Sequence, residues 1–142
     1  MAFRRSGVRF PPPPPKIKFK SFFWHVRNKI IESYSFGRIK ISGEVYDSDL
    51  IILGDKVIPS WWREEGHRLS CGDIEVVFSF KPDVLIAGQG DPGLMKTGED
   101  VIRKCGEENI EFLERPTRAA VELFNGYFNE GRKVAGCFHL TC

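Results

Sequence analysis

Val84-Leu85-Ile86-Ala87-Gly88-Gln89-Gly90-Asp91 is the stretch that decides the fold. Its first half is apolar without alternation, which predicts a strand covered on both faces, as strands of a parallel sheet are. The glycines that follow predict a tight turn out of the strand's carboxyl end. Upstream, Ser70 with Asp73 predicts a capped helix whose apolar stripe is Ile74, Val77 and Phe78, stopped at Lys81-Pro82. Downstream, Thr97 is read as the start of a second helix carrying Val101, Ile102 and Cys105 and ended by Gly106, followed by a strand over Ile110-Glu111-Phe112-Leu113. Thr117, just after Pro116, is read as the cap of a third helix. There Ala120, Val121, Phe124, Tyr127 and Phe128 make one wide apolar face, and Gly131 closes it. Val134 to Leu140 is the last strand. Strand, helix, strand, helix, strand at this spacing implies two crossovers and a small parallel sheet.

The front half reads differently. Ile39 and Ile41 alternate with Arg38 and Lys40, so Phe36 to Ser42 is expected as a half-buried strand. Gly43 punctuates it, and Val45, Tyr46 and the run Leu50-Ile51-Ile52-Leu53 are expected as its partner. Gly54-Asp55 turns into a short strand over Lys56 to Ile58, ended by Pro59. The expected fold class is α/β: a three-layer β/α domain in which an antiparallel meander precedes a small parallel β-α-β-α-β unit.

The chain has 142 residues, 42% of them hydrophobic and 13% aromatic, enough for one domain with its own core. A net charge of +2 conceals an asymmetry. Residues 1–31 hold eight of the 21 basic side chains and no acid, so the remainder sets 13 bases against 19 acids, a net −6. An acidic body argues against nucleic-acid binding by the folded part, because phosphate neutralisation needs a basic face. No apolar run is long enough to cross a membrane. The cysteines, Cys71, Cys105, Cys137 and Cys142, lack CxxC spacing and follow no secretory signal, so reduced thiols in a cytoplasmic setting are expected.

Residues 1–31 are read as a basic lead set apart from a domain over residues 32–142. Pro11 to Pro15 hold an extended polyproline helix and cannot enter a core. The run Arg4-Arg5-Ser6-Gly7-Val8-Arg9-Phe10-Pro11 looks like translated transfer-RNA gene sequence, which would place the native start downstream. An arm that binds a partner and a targeting peptide are the competing readings.

Two segments suggest a ligand cleft. Gly88, Gln89 and Gly90 follow a buried strand, where open α/β sheets place ligands and where glycines let amides approach an anion. Gly88-x-Gly90-x-x-Gly93 fits a dinucleotide fingerprint, but Pro92 removes an amide and the helix starts late; a plain turn is the competing reading. Trp61-Trp62-Arg63-Glu64-Glu65-Gly66-His67 can wall the cleft, with Arg63 on an anion and His67 titrating near neutrality. Its alternative is structural: Trp62 caps the core and Arg63 pairs with a carboxylate. At the chain end, Cys137 and His139 share one face of a strand, so a nucleophile–base pair is conceivable, but no oxyanion donor is identifiable. Cys137, His139 and Cys142 lack an evident fourth ligand, so no metal and no cofactor are expected. The preferred function is a binding or assembly-type protein for a small ligand or protein partner through Trp62, Arg63, His67, Gly88, Gln89 and Gly90, with no catalytic residues. The alternative is a small enzyme using His67, Cys137 or His139.

Pro59-Ser60-Trp61-Trp62-Arg63-Glu64-Glu65-Gly66-His67, the 84–90 strand and turn, Phe124-Asn125, and the ending Gly136-Cys137-Phe138-His139-Leu140-Thr141-Cys142 resemble the Mth-domain family, the DUF498-type uncharacterised proteins. The resemblance covers roughly residues 36–142. It implies a three-layer β/α fold and no assigned catalytic activity. The family includes a mitochondrial complex I assembly factor, but the ending is more similar to an adipogenesis-associated branch, so the assembly role is not carried over.

Overall fold

The structure, a computed structural model, describes residues 30–142; the readings made of residues 1–29 lie outside the described residues. The expected alternation of strands and helices is present, in three layers. The described residues form ten strands: β1 (Ile31–Ser35), β2 (Arg38–Ile41), β3 (Glu44–Tyr46), β4 (Leu50–Leu53), β5 (Lys56–Ile58), β6 (Arg68–Leu69), β7 (Val84–Gln89), β8 (Lys96–Thr97), β9 (Glu111–Arg115) and β10 (Val134–His139). A 3-10 turn, Cys71–Ile74, leads into α1 (Glu75–Phe80); α2 is Glu99–Glu107 and α3 is Thr117–Asn129.

The central layer is a five-stranded sheet in the order β5-β4-β10-β7-β9. β10 runs parallel to β7 from Val134 opposite Val84 to His139 opposite Gln89, and β7 runs parallel to β9. β4 is antiparallel to β10, with Ile51 opposite Cys137. Alternation along these strands sorts the core into two. Ile52, Ile86, Val134 and Phe138 face α3 and the β1-β2-β3 sheet, whereas Ile51, Leu85, Ala87 and Cys137 face α1 and α2. The apolar stripe read on α3 is buried as expected at Ala120, Val121 and Phe124, and Phe124 meets Phe138 edge-on at 5.9 Å between centroids.

The front half is where the expectation fails. Val45-Tyr46 and Leu50–Leu53 do not form one partner strand: β3 completes a separate sheet in the order β1-β2-β3, and the chain changes sheets over residues 47–49 before β4 enters the central one. Val45 and Tyr46 do pair with β2, Ile39 lying opposite Tyr46, but the second neighbour of β2 is β1, which the sequence reading passed over. Ile30 and Ile31 are buried, so the packed fold takes in two positions ahead of residue 32. Asn125 holds β1 to α3: its side-chain amide donates to the Ile31 carbonyl at 2.9 Å, and its oxygen accepts from Ile31 N at 3.0 Å.

Several boundaries also move. The Ser70–Asp73 capping box is present, but it starts the 3-10 turn and not the α-helix itself. α2 starts after Gly98, with Thr97 left in β8, and Gly106 lies inside it. Thr117 is the first residue of α3, not its cap, because its hydroxyl bonds elsewhere. Gly88 and Gln89 belong to β7, so only Gly90 begins the turn.

Candidate functional site

The carboxyl ends of β7, β9 and β10 point the same way, and the antiparallel β4 starts at that end. The loop after β5 therefore begins there as well, since Ile58 lies opposite Ile51. This topology gathers the two segments singled out in the sequence, residues 61–67 and 88–93, at one edge of the sheet.

Their junction is a residue the sequence reading missed, Asp49. It is the last residue before β4, and every hydrogen bond of its carboxylate reaches across the chain. Oδ1 accepts from Leu140 N at 2.8 Å. Oδ2 accepts from His139 Nδ1 at 2.8 Å and from Arg63 Nη1 at 2.9 Å. Burial alone would raise its pKa, but the hydrogen bonds from His139, Leu140 and Arg63 outweigh that and hold the carboxyl below its ordinary value. No motif marks Asp49; the one available signal is an acid set directly before a fully apolar strand.

Arg63 is buried, and each of its three guanidinium nitrogens donates to a group of the protein. Nε and Nη2 both donate to the Gly66 carbonyl, at 3.1 and 2.7 Å, while Nη1 serves Asp49. Its face stacks over Trp61, 4.7 Å from the ring centroid. Nη2 lies 3.2 Å from His139 Nδ1. An ionised carboxylate only accepts, so Nδ1 carries its hydrogen in the bond to Asp49. The Nη2–Nδ1 approach thus brings together two donors with different acceptors, the Gly66 carbonyl for Nη2 and Asp49 for Nδ1, and is not a hydrogen bond. The alternative reading of Arg63, paired with a nearby carboxylate, describes its position here.

Trp61 and Trp62 divide differently from the expectation. Trp61 is the one that packs on the core, with Nε1 donating to the Asp73 carbonyl at 2.9 Å. Trp62 is 78% exposed, so the core-capping role read for it belongs to its neighbour. His67 is exposed, and its ring meets His139 edge-on at 6.1 Å between centroids.

The glycine turn is backed by protein. A Cβ on Gly88 would come within 2.8 Å of Phe138 Cδ1 and 2.9 Å of Thr117 Oγ1. Gly90 has φ +91°, and a Cβ there would lie 2.6 Å from His139 Cδ2, with the Thr141 carbonyl closer still. Gly90 N donates to Thr117 Oγ1 at 2.8 Å, and Asp91 N donates to the Thr141 carbonyl at 3.0 Å. Thr117 Oγ1 donates in turn to the His139 carbonyl. The amides of Gly90 and Asp91 are thus taken by the protein and are not free for an anion. Gln89 reaches sideways, with Nε2 donating to Glu114 Oε1 at 3.2 Å; the same oxygen accepts from Thr97 Oγ1 at 2.7 Å.

His139 itself is 7% exposed, and its Nε2 is buried with no hydrogen-bond partner among the described residues. An Asp–His pair with a free Nε2 has the form of a general base. This Nε2, however, faces Gly90, 3.4 Å from where a Cβ would stand, and is closed to solvent. Cys137 is two residues away on the same face but fully buried, and burial pushes its thiol up to about 12. Its Sγ lies 3.9 Å from the Ile86 carbonyl, not on His139. The arrangement supplies no thiolate at neutral pH. Among the described residues, no three His, Cys, Asp or Glu side chains are grouped so as to hold a metal ion, and no helix is long and apolar enough to cross a membrane.

Fold and site together define a three-layer α/β domain with a buried Asp–His–Arg cluster at the carboxyl edge of its sheet. The chain belongs to the family described as "Protein of unknown function (DUF498/DUF598)", whose model matches residues 31–139. Solved structures share the fold. A conserved hypothetical protein of Pyrococcus horikoshii OT3 is 24% identical over 79% of this chain and 98% of its own, with a TM-score of 0.67. A protein of Bartonella henselae described as an outer membrane protein is 23% identical over 80% of this chain and 96% of its own, at 0.69. A Mth938-like domain from Bordetella pertussis is 14% identical over 94% and 92%, at 0.58. The family resemblance read from the sequence is thereby shown.

Proposed function

We propose that this chain is a non-catalytic binding protein. Its contact surface is the set of loops at the carboxyl edge of the sheet, with Trp62 and His67 on one wall and the Gly88-Gln89-Gly90 strand end on the other. The observation that carries this reading is Trp62, exposed on a loop whose base is locked by Arg63 on Asp49 and Gly66. A large indole held outward on a pre-ordered loop loses little entropy when it is covered, which is the character of an interface hot spot. Arg63 is assigned to building that loop, and Gly90, whose amide is bonded to Thr117, to seating His139. A cytoplasmic setting is consistent with four unpaired cysteines, and the acidic body is unsuited to nucleic acid.

The test places a photo-crosslinking amino acid at position 62 and, separately, at Ile102, which is also exposed but lies on α2. Both proteins are irradiated in the cells that express them. A discrete adduct formed from position 62 and absent from position 102 is the expected result. Equal adducts from both, or none from either, would refute the reading. The enzymic alternative is left with the exposed His67 and the buried His139, and its stronger form uses His139, favoured by its bond to Asp49. It requires that a substrate analogue or an imidazole-directed reagent modify Nε2 in the folded protein, and enclosure of that atom predicts no modification.

A further inference from the structure

We infer that the occupant of this surface is a cationic, apolar segment of a partner protein; the inference rests on the binding reading above and deepens it. Of the large apolar side chains that stay exposed, Phe36 (56%), Trp62 (78%) and Leu94 (47%) sit on three separate loops. All three loops are anchored at the carboxyl edge of the sheet. The Phe36 turn is tied by Gly37 N donating to the Leu140 carbonyl, the Trp62 loop by Trp61 N donating to the Asp49 carbonyl, and the Leu94 loop by Met95 N donating to the Gln89 carbonyl. One end of the molecule therefore offers three apolar anchors on a fixed base.

Charge selects the partner. In the 61–67 loop the sole basic residue besides His67 is Arg63, and its charge is buried against Asp49. Glu64 and Glu65, within three residues of Trp62, are exposed, and among the described residues neither pairs with a cation. Asp47, on the adjoining loop, is exposed and unpaired in the same sense. The loop therefore shows an indole flanked by bare carboxylates. Lys and Arg suit both: the stem packs on apolar surface, the head lies over the ring, and the carboxylates neutralise it. The folded body of a second copy suits it poorly, because residues 32–142 carry a net −6 in each copy and repel.

The experiment measures fluorescence anisotropy of labelled 15-residue peptides rich in Lys, Leu and Phe, against the same peptides with every Lys replaced by Glu, on the full chain. The cationic peptides are expected to bind at least tenfold more tightly, and their affinity to fall as salt rises. Trp62→Ala and the double change Glu64→Lys with Glu65→Lys should each lower it about tenfold. All three positions are exposed, so circular dichroism should stay native. Equal binding of the two peptide sets, no binding of either, or an unchanged affinity for the Glu64→Lys, Glu65→Lys protein would overturn the inference. So would a concentration-dependent dimer that Trp62→Ala abolishes. An adduct at position 62 to a partner whose contact segment is acidic would sink this inference alone; no adduct there would sink the binding reading itself.

Discussion

Replacing Gly90 by alanine separates the two explanations of the glycine turn, and Gly43 provides the control. Both residues have strongly positive φ, +91° and +86°. At Gly43 an added Cβ meets nothing within 4 Å. Alanine there carries only backbone strain of about 1–2 kcal/mol, less the ~0.4–1 kcal/mol gained from a stiffer unfolded chain. At Gly90 the same methyl would overlap His139 Cδ2 and the Thr141 carbonyl. His139 is held by Asp49, and that carbonyl accepts from Asp91 N, so neither can withdraw without breaking a hydrogen bond. Overpacking adds about 1–3 kcal/mol and a lost hydrogen bond about 1 kcal/mol. Gly90→Ala should therefore be less stable than Gly43→Ala by about 2–4 kcal/mol on these same terms. Equilibrium urea unfolding followed by tryptophan fluorescence measures it, read as midpoints at unchanged m-value. Two variants within about 0.5 kcal/mol of each other, the size of an ordinary surface effect, would refute the packing argument. If Gly90 were instead glycine in order to cradle an anion, its alanine variant would lose little in phosphate-free buffer and would lose stabilisation by added phosphate.

Asn125→Ala strips both hydrogen bonds from the buried Ile31 backbone and should cost about 2–4 kcal/mol, measured by the same unfolding curves, with amide exchange in β1 accelerating before the rest of the sheet. Iodoacetamide at pH 8 should label the exposed Cys142 in the native protein and leave Cys137 untouched until denaturant is added, since burial raises that thiol to about 12; peptide mapping reads the difference. Asp49 has a folded-state pKa below its ordinary value of 3.8, so its contribution is present above that value and is lost as pH falls through the lower folded one. Asp49→Asn should therefore flatten the acid limb of a stability–pH curve while lowering stability at pH 7, where Arg63 loses its partner; an acid limb as steep as the wild type's would count against the assignment.

The back half of the fold was legible because each element there carries its own signal. An unbroken apolar strand, a wide helical stripe and a capping box are local patterns, and β7, α3 and the Ser70 turn appeared where those patterns lay. What failed was non-local. β1 has the burial pattern of a strand exposed along most of its length, and its sequence Ile-Glu-Ser-Tyr-Ser shows no clean alternation. Its existence depends on β2 and on the Asn125 clamp 94 residues away. The change of sheets at residues 47–49 is likewise invisible, because Val45-Tyr46 and Leu50–Leu53 both have strand composition and nothing local says that they pair with different neighbours. Thr117 misled for a related reason. Its type and place suited a helix cap, but a buried hydroxyl goes to whatever tertiary groups lack a partner, here Gly90 N and the His139 carbonyl.

The same distinction explains the site. Residue types with recognisable chemistry, Arg63, His139 and Cys137, were visible as candidates, and in the structure each is turned inward and buried. Arg63 and His139 converge on Asp49, an acid no motif announces, and the result is a buried Arg–Asp pair with the His139 ring beside it instead of an open reaction centre. Burying Arg63 beside Asp49 contributes little net stability compared with an apolar substitute. What it does is fix geometry: the bidentate contact with Gly66 and the bond to Asp49 leave the 61–67 loop one way to lie, and that way puts Trp62 into solvent. An indole left 78% exposed gains nothing from the fold that displays it. The arrangement makes physical sense when something else covers that ring, and so the buried polar cluster is the scaffold of the surface above it.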